Sequence, residues 1–198
     1  TLVYTIRTGV KWSDGKDCTP ADVVFSFNLL KKYPALDGRG VWSQITSVYA
    51  SGNDVTMNFT NPNVPFAASI AQTPIVPEHL WSGMAEPAKD SNTTPVGTGP
   101  FTLGSFAPTQ YTLKKNTTYW QADKVAPAEV NFPAQASNQT TNQRDVVSGQ
   151  FDWASNFLPD VKSTVGHQHP AHSQSWSPPG RPIPPHPDLT PPPASAAN

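Results

Sequence analysis

Polar and apolar residues alternate from the start of the chain: Leu2, Tyr4 and Ile6 interleave with Val3, Thr5 and Arg7. A period of two marks a half-buried strand. Ser13-Asp14-Gly15 follows as turn chemistry, with a glycine free to take positive φ, so residues 1–16 read as a hairpin. The pattern then becomes helical. Thr19 suits an N-cap, Pro20 the first helical position, and Asp22 the position three beyond the cap. Val23, Phe27 and Leu30 fall on one face, Lys31 and Lys32 sit where the helix dipole is negative, and Pro34 stops the run. A helix is predicted over 20–32. A second hairpin follows over 44–60, its arms Ile45–Tyr49 and Val55–Phe59 joined by a turn at 51–54. Beyond it come a short apolar helix at 65–72, one proline-opened helical turn at 77–81 and a polar loop at 84–98. Strands are predicted at about 101–107, 110–116 and 128–132, a polar helix at 138–149 ended by Gly149, a short strand at 151–154, and a last helical turn opened by Pro159.

From residue 166 the pattern is lost. The last 33 of the 198 residues hold 10 of the 23 prolines and 4 of the 5 histidines. Proline removes ladder donors and breaks helices, so this tail is not expected to form regular structure by itself.

Charge narrows the partners. Thirteen Lys plus Arg stand against 14 Asp plus Glu, for a formal net charge of -1. The longest basic runs are the pairs Lys31-Lys32 and Lys114-Lys115, which argues against nucleic-acid binding. Charged residues make up 14% of the chain, against roughly 25% in average soluble proteins. That profile suits a secreted protein. No run approaches the ~18 apolar residues of a membrane span. No signal peptide is visible, but the chain opens inside a strand, so upstream residues are expected to be missing.

Enzyme chemistry finds little support. The single cysteine, Cys18, excludes an internal disulfide and a thiolate metal cluster; it reads as a partly buried, unreactive thiol. No G-x-S-x-G elbow is present, and His79 is the only histidine before residue 167, placed beside Trp81 in a structural turn. Counting leaves a hydrolytic carboxylate pair open, with no motif behind it. His167, His169 and His172 have metal-like spacing but lie in the proline-rich tail, so no functional metal site is expected. Gly97 and Gly99 lack the Lys-Ser/Thr of a phosphate loop and read as a sharp turn before a strand. Asn58, Asn92, Asn116 and Asn138 occupy Asn-x-Thr sequons taken as chance matches. Trp12, Trp42, Trp81 and Trp120 read as core or turn packing. No cofactor is implied.

Four stretches, in order, carry a resemblance. They are YTIRTGVKWSDGK at 4–16 running into TPADVVFSF at 19–27; IVPEHLW at 75–81; PVGTGPF at 95–101 with KNTTYW at 115–120; and SGQFDW at 148–153 leading to Asn156-Phe157-Leu158-Pro159. Together they resemble the peptide-binding family of bacterial solute-binding proteins, which also includes oligosaccharide and nickel binders. The resemblance covers about 1–163. It implies an α+β to α/β fold of mixed sheets with flanking helices, part of a two-lobed type II periplasmic-binding-protein architecture. Residues 1–95 would be a small inserted domain, 96–160 part of the first lobe, and 161–198 a truncated start of the second lobe. In the tail, PAH at 170–172 and WSPPG at 176–180 still look family-like, whereas PIPPHP at 182–187 stands where relatives carry a strand.

The resemblance further implies a non-enzymatic trap that closes on a peptide and delivers it to the membrane permease of an ABC importer. It would act in the periplasm or on the outer face of the membrane, its parent held by a lipid on the missing N-terminus. Trp153, Ser155, Asn156 and Phe157 lie where the chain would cross between lobes, and in resembling proteins this segment lines the ligand cleft. A tryptophan face there can stack on a sugar or pack on a side chain; the competing reading makes Trp153 and Phe157 core residues under the hinge. An oligosaccharide ligand, a fragment with no binding of its own, and a secreted hydrolase stand as rivals. The apolar surface of an incomplete lobe is also expected to favour self-association.

Overall fold

The computed structural model describes residues 1–134 and 139–153. The chain divides into two compact units, Thr1–Ala134 and Gln135–Asn198. The first unit contains two antiparallel three-stranded sheets.

The first sheet has the order β1-β3-β2, formed by β1 (Leu2–Thr5), β2 (Ile45–Ser51) and β3 (Asp54–Phe59). The β2–β3 hairpin forms where the sequence places it. Ser51 pairs with Asp54 across a two-residue loop, and Gly52, at the first loop position, has φ 58°. Positive φ there belongs to a hairpin turn whose twist matches the strands. The expected hairpin over 1–16 is corrected. β1 pairs antiparallel with β3, Leu2 opposite Met57 and Thr5 opposite Asp54. The turn at 13–15 exists, with Gly15 at φ 89°, but it closes only a single bridge between Lys11 and Asp17. Alternation in β1 signals one buried face and carries no information about the neighbouring strand.

Helix α1 (Pro20–Lys32) packs on this sheet. The Asp22 carboxylate accepts the Thr19 N–H at 2.8 Å, closing the first turn. Val23 and Phe27 join Val41, Ile45, Val48, Val55, Met57 and Ile70 in one core. Phe27 is 2% exposed, a site where truncation to alanine costs about 3–5 kcal/mol. Leu29, rather than the expected Leu30, is the deeper leucine, because the buried face follows Asp22, Ser26 and Leu29 as well as Val23 and Phe27. Short helices α2 (Ala67–Ala71) and α3 (Glu78–Trp81) complete the layer, with the Tyr4 hydroxyl donating to the Ala67 carbonyl at 3.1 Å.

The second sheet has the order β4-β5-β6, built from β4 (Phe101–Ala107), β5 (Gln110–Lys115) and β6 (Glu129–Pro133). Its register puts Leu103, Phe106, Tyr111, Leu113, Val130 and Phe132 on one face and Ser105, Thr112, Lys114 and Asn131 on the other. Tyr111 and Phe132 stack with centroids 4.6 Å apart, while Phe106 is exposed. A bulge at Gly104 brings the backbone against β5: a Cβ there would lie 2.9 Å from Thr112 Oγ1.

The sheets are clasped within this unit. Ser13 N–H donates to the Gly97 carbonyl at 2.9 Å, and Arg7 lies 3.9 Å from the Trp120 ring centroid. The chain bends at 98–100 just before β4, where the sharp turn is expected, but neither Gly97 nor Gly99 takes positive φ; the Gly97 N–H donates to Ser13 Oγ at 3.3 Å and the Gly99 carbonyl accepts from Asn116. Of the two readings of Trp120, core or turn packing, the structure shows the second: it lies in a turn, is 43% exposed, and its ring packs against the Arg7 guanidinium and edge-on to Tyr119. Trp12 is buried and Trp42 donates its indole N–H to the Phe27 carbonyl.

In the second unit, helix α4 (Gln139–Val147) is described. Residues 151–153 are irregular, not the start of the expected strand, because the first of their amides, that of Phe151, is drawn back to the helix end. The helical turn at Pro159 and the tail from 166 lie outside the described residues.

Candidate functional site

The four candidate ligand residues follow α4, so the end of that helix positions the first of them. Ser148 N–H donates to the Arg144 carbonyl at 2.8 Å and Gly149 N–H to Val146 at 3.1 Å. Gln150 and Phe151 then both donate to the Asp145 carbonyl, at 2.8 and 3.1 Å, joined by the Ser148 hydroxyl at 3.2 Å. Gly149 takes φ 75°, the left-handed geometry that ends many helices. The chain turns back on the helix end, leaving Phe151 half-buried and Trp153 78% exposed. Trp153 is therefore not a core residue among the described residues. Ser155, Asn156 and Phe157 lie outside them.

The remaining candidate chemistry is structural in character. Burial, and after it the negative charge of Asp22, push the Cys18 thiol up to about 11, so it is protonated at neutral pH. His79 Nε2 lies 2.6 Å from Asp14 Oδ2, joining α3 to the 13–15 turn. Partial burial by itself would raise the Asp14 carboxyl. The hydrogen bonds from His79 and the Lys16 N–H, with the charges of those two residues, outweigh it and hold the group below its ordinary value. Among the described residues no hydroxyl meets His79, so this pair lacks the nucleophile of a hydrolytic triad. The described residues contain no cluster of three or more metal-ligating side chains. His167, His169 and His172 lie outside them. No helix among the described residues is long and apolar enough to cross a membrane.

Sequence reasoning missed two interactions. The Asp22 carboxylate serves α1 and also accepts the Glu78 N–H at 2.9 Å at the start of α3. Asn116, taken as a chance sequon, is 4% exposed: its Nδ2 donates to Gly99 at 2.8 Å, and its Oδ1 accepts the Thr118 N–H at 3.0 Å and hydroxyl at 2.7 Å. The signal was present, since Asn followed two residues on by Thr is also an Asx-turn pattern.

Comparison with known proteins places this architecture. A periplasmic oligopeptide-binding protein of an oligopeptide ABC transporter from Thermotoga maritima, solved with mannohexaose bound, superposes with a TM-score of 0.74. The match has 28% identity and covers 83% of this chain and 32% of that one. Protein XP55 of Streptomyces lividans is 34% identical over 157 residues, 78% of this chain and 28% of its own. The probable peptide-binding protein YejA of Agrobacterium fabrum is 32% identical over 130 residues, 61% of this chain and 21% of its own. The chain thus spans less than a third of each of these relatives. The fold is part of a type II periplasmic binding protein. The family described as bacterial extracellular solute-binding proteins, family 5 middle, matches residues 1–182, and the chain belongs to it.

Proposed function

We propose that this chain is part of the extracytoplasmic solute-binding component of an ABC importer, that its parent captures peptides by lobe closure, and that it performs no covalent chemistry. The observation that carries the reading is the family match over 1–182, and relatives named for peptide binding support the ligand class. Residues 1–95 then form the small inserted domain, 96–160 part of the first lobe, and 161–198 the start of the second. Trp153, with Ser155, Asn156 and Phe157, lines the cleft. The 78% exposure of Trp153 supports this role, because a ring that packs no core is available to a ligand. Delivery would be to a membrane permease, outside the cytoplasm.

A second reading is favoured by one observation. The Thermotoga relative carries an oligopeptide-binding name and was solved with mannohexaose bound. An exposed indole serves a sugar ring as well as a peptide side chain, so an oligosaccharide is the rival ligand. A single lobe also leaves a ligand half-covered, and burial of most of the ligand surface is what gives a cleft its affinity. The chain itself is therefore expected to bind more weakly than a full-length parent.

Isothermal titration of this chain, and separately of a full-length family member carrying it, against pooled di- to pentapeptides and against cello- and xylo-oligosaccharides tests the proposal. Saturable heat with peptides that is lost in Trp153→Ala supports it. Heat with sugars alone transfers the assignment to the second reading, and no heat from the folded full-length protein with either pool overturns both.

A further inference from the structure

Strand β2 is an outer strand of the first sheet, and its seven residues, Ile45–Ser51, include no proline and no charged side chain. Beside it runs an open groove walled by α1. Val24, Phe25 and Asn28 stand on one side, Val48, Tyr49 and Ala50 on the other. Successive side chains of a strand point to opposite faces. A groove touched by three consecutive residues therefore follows the main-chain edge of the strand.

The hairpin register decides which groups lie on that edge. Ser51 and Asp54 close the two-residue loop and exchange hydrogen bonds, and antiparallel pairs then alternate. Ala50 opposite Val55 and Val48 opposite Met57 fall in the pairs that turn their N–H and C=O away from β3. Among the described residues no main-chain hydrogen bond outside the ladder uses them. An outer strand with free main-chain groups, no charge and an apolar flank is a template for another strand.

We propose that this groove docks an extended polypeptide segment, which adds to β2 as a strand and presents a cationic residue to Glu78. Glu78 is the one charged residue among the described residues that line the groove. It is exposed and makes no ion pair among the described residues. The bond from its N–H to Asp22 holds it at the N-terminal end of α1, so the cation belongs at that end of the bound segment. Val24 and Phe25 receive side chains along the rest. A second copy of the chain fits less well, because β2 meeting itself brings no cation to Glu78. The site is formed within the first unit and does not depend on the Trp153 proposal.

The test is fluorescence anisotropy on the full chain with two labelled, end-blocked peptides, Lys-Val-Thr-Val-Thr-Val-Thr and its reverse, since strand direction decides which end meets Glu78. One of them is expected to bind saturably, with replacement of Lys by Glu weakening it about fivefold. Glu78→Gln should remove that preference. Ala50→Pro deletes an outward N–H without touching the β2–β3 ladder, so it should abolish binding while the melt stays cooperative. If this variant does not fold, a peptide N-methylated at alternate residues replaces it and should bind at least about tenfold more weakly. The proposal is overturned if neither Lys peptide binds, if folded Ala50→Pro or the N-methylated peptide retains full affinity, or if β2 edges pair in sedimentation experiments as a dimer that Ala50→Pro dissociates.

Discussion

Replacing Asp22 should weaken two helices and alter a thiol at the same time. Its carboxylate is 5% exposed and accepts the Thr19 N–H at 2.8 Å, the Thr19 hydroxyl at 3.2 Å and the Glu78 N–H at 2.9 Å. Loss of a helix cap costs about 1 kcal/mol, and loss of a charged acceptor for a second backbone donor about 1.5–3 kcal/mol. Asp22→Ala is therefore expected to destabilise the chain by roughly 2.5–4 kcal/mol, lowering Tm by about 5–16 °C at this size. Asp22→Asn keeps the shape but sets an amide N–H against one of the donors, and should cost about half as much. Both variants should also lower the Cys18 pKa from about 11, leaving it above the ordinary thiol value because burial, the larger cause, remains. Urea denaturation and the pH dependence of iodoacetamide alkylation of the folded protein read the two effects separately. A loss below ~0.5 kcal/mol in Asp22→Ala, or an unmoved alkylation profile in Asp22→Asn, refutes the dual role.

Three further outcomes are open to measurement. Asn116→Ala removes three side-chain hydrogen bonds at a buried position and should cost about 2–4 kcal/mol in thermal or urea unfolding; a near-neutral result would show that water replaces them. The depressed Asp14 carboxyl contributes stability that is fully present above its ordinary pKa and lost as pH falls through the folded value. The advantage of wild type over Asp14→Asn should thus fade as pH falls below about 4; a gap unchanged from about pH 5 down to about pH 2 contradicts a depressed Asp14 carboxyl. Cys18 has the opposite sense, since its raised pKa means the unfolded chain loses a proton first. Stability should fall more steeply between about pH 9 and 11 in wild type than in Cys18→Ser, and parallel curves would count against the buried thiol.

Segments whose partners lie a few residues away were legible in the chain itself. Helix α1 carries its own cap, proline and stop; the β2–β3 and β4–β5 hairpins carry their turns; Gly149 marks the end of α4. Family membership was equally legible, because it rests on ordered local motifs and does not need packing. The candidate site was legible only as a segment: the sequence left Trp153 between cleft and core, and its exposure follows from a helix end whose amides converge on Asp145. Long-range pairing was not legible. Alternation in β1 is satisfied by any neighbour, and only the folded chain joins it to β3, some fifty residues on. The same holds for the second donor to Asp22, the guanidinium over Trp120 and the carbonyl that Asn116 secures. Periodicity and capping are properties of a few consecutive residues, whereas these contacts arise when burial brings distant polar groups together and each must find a partner.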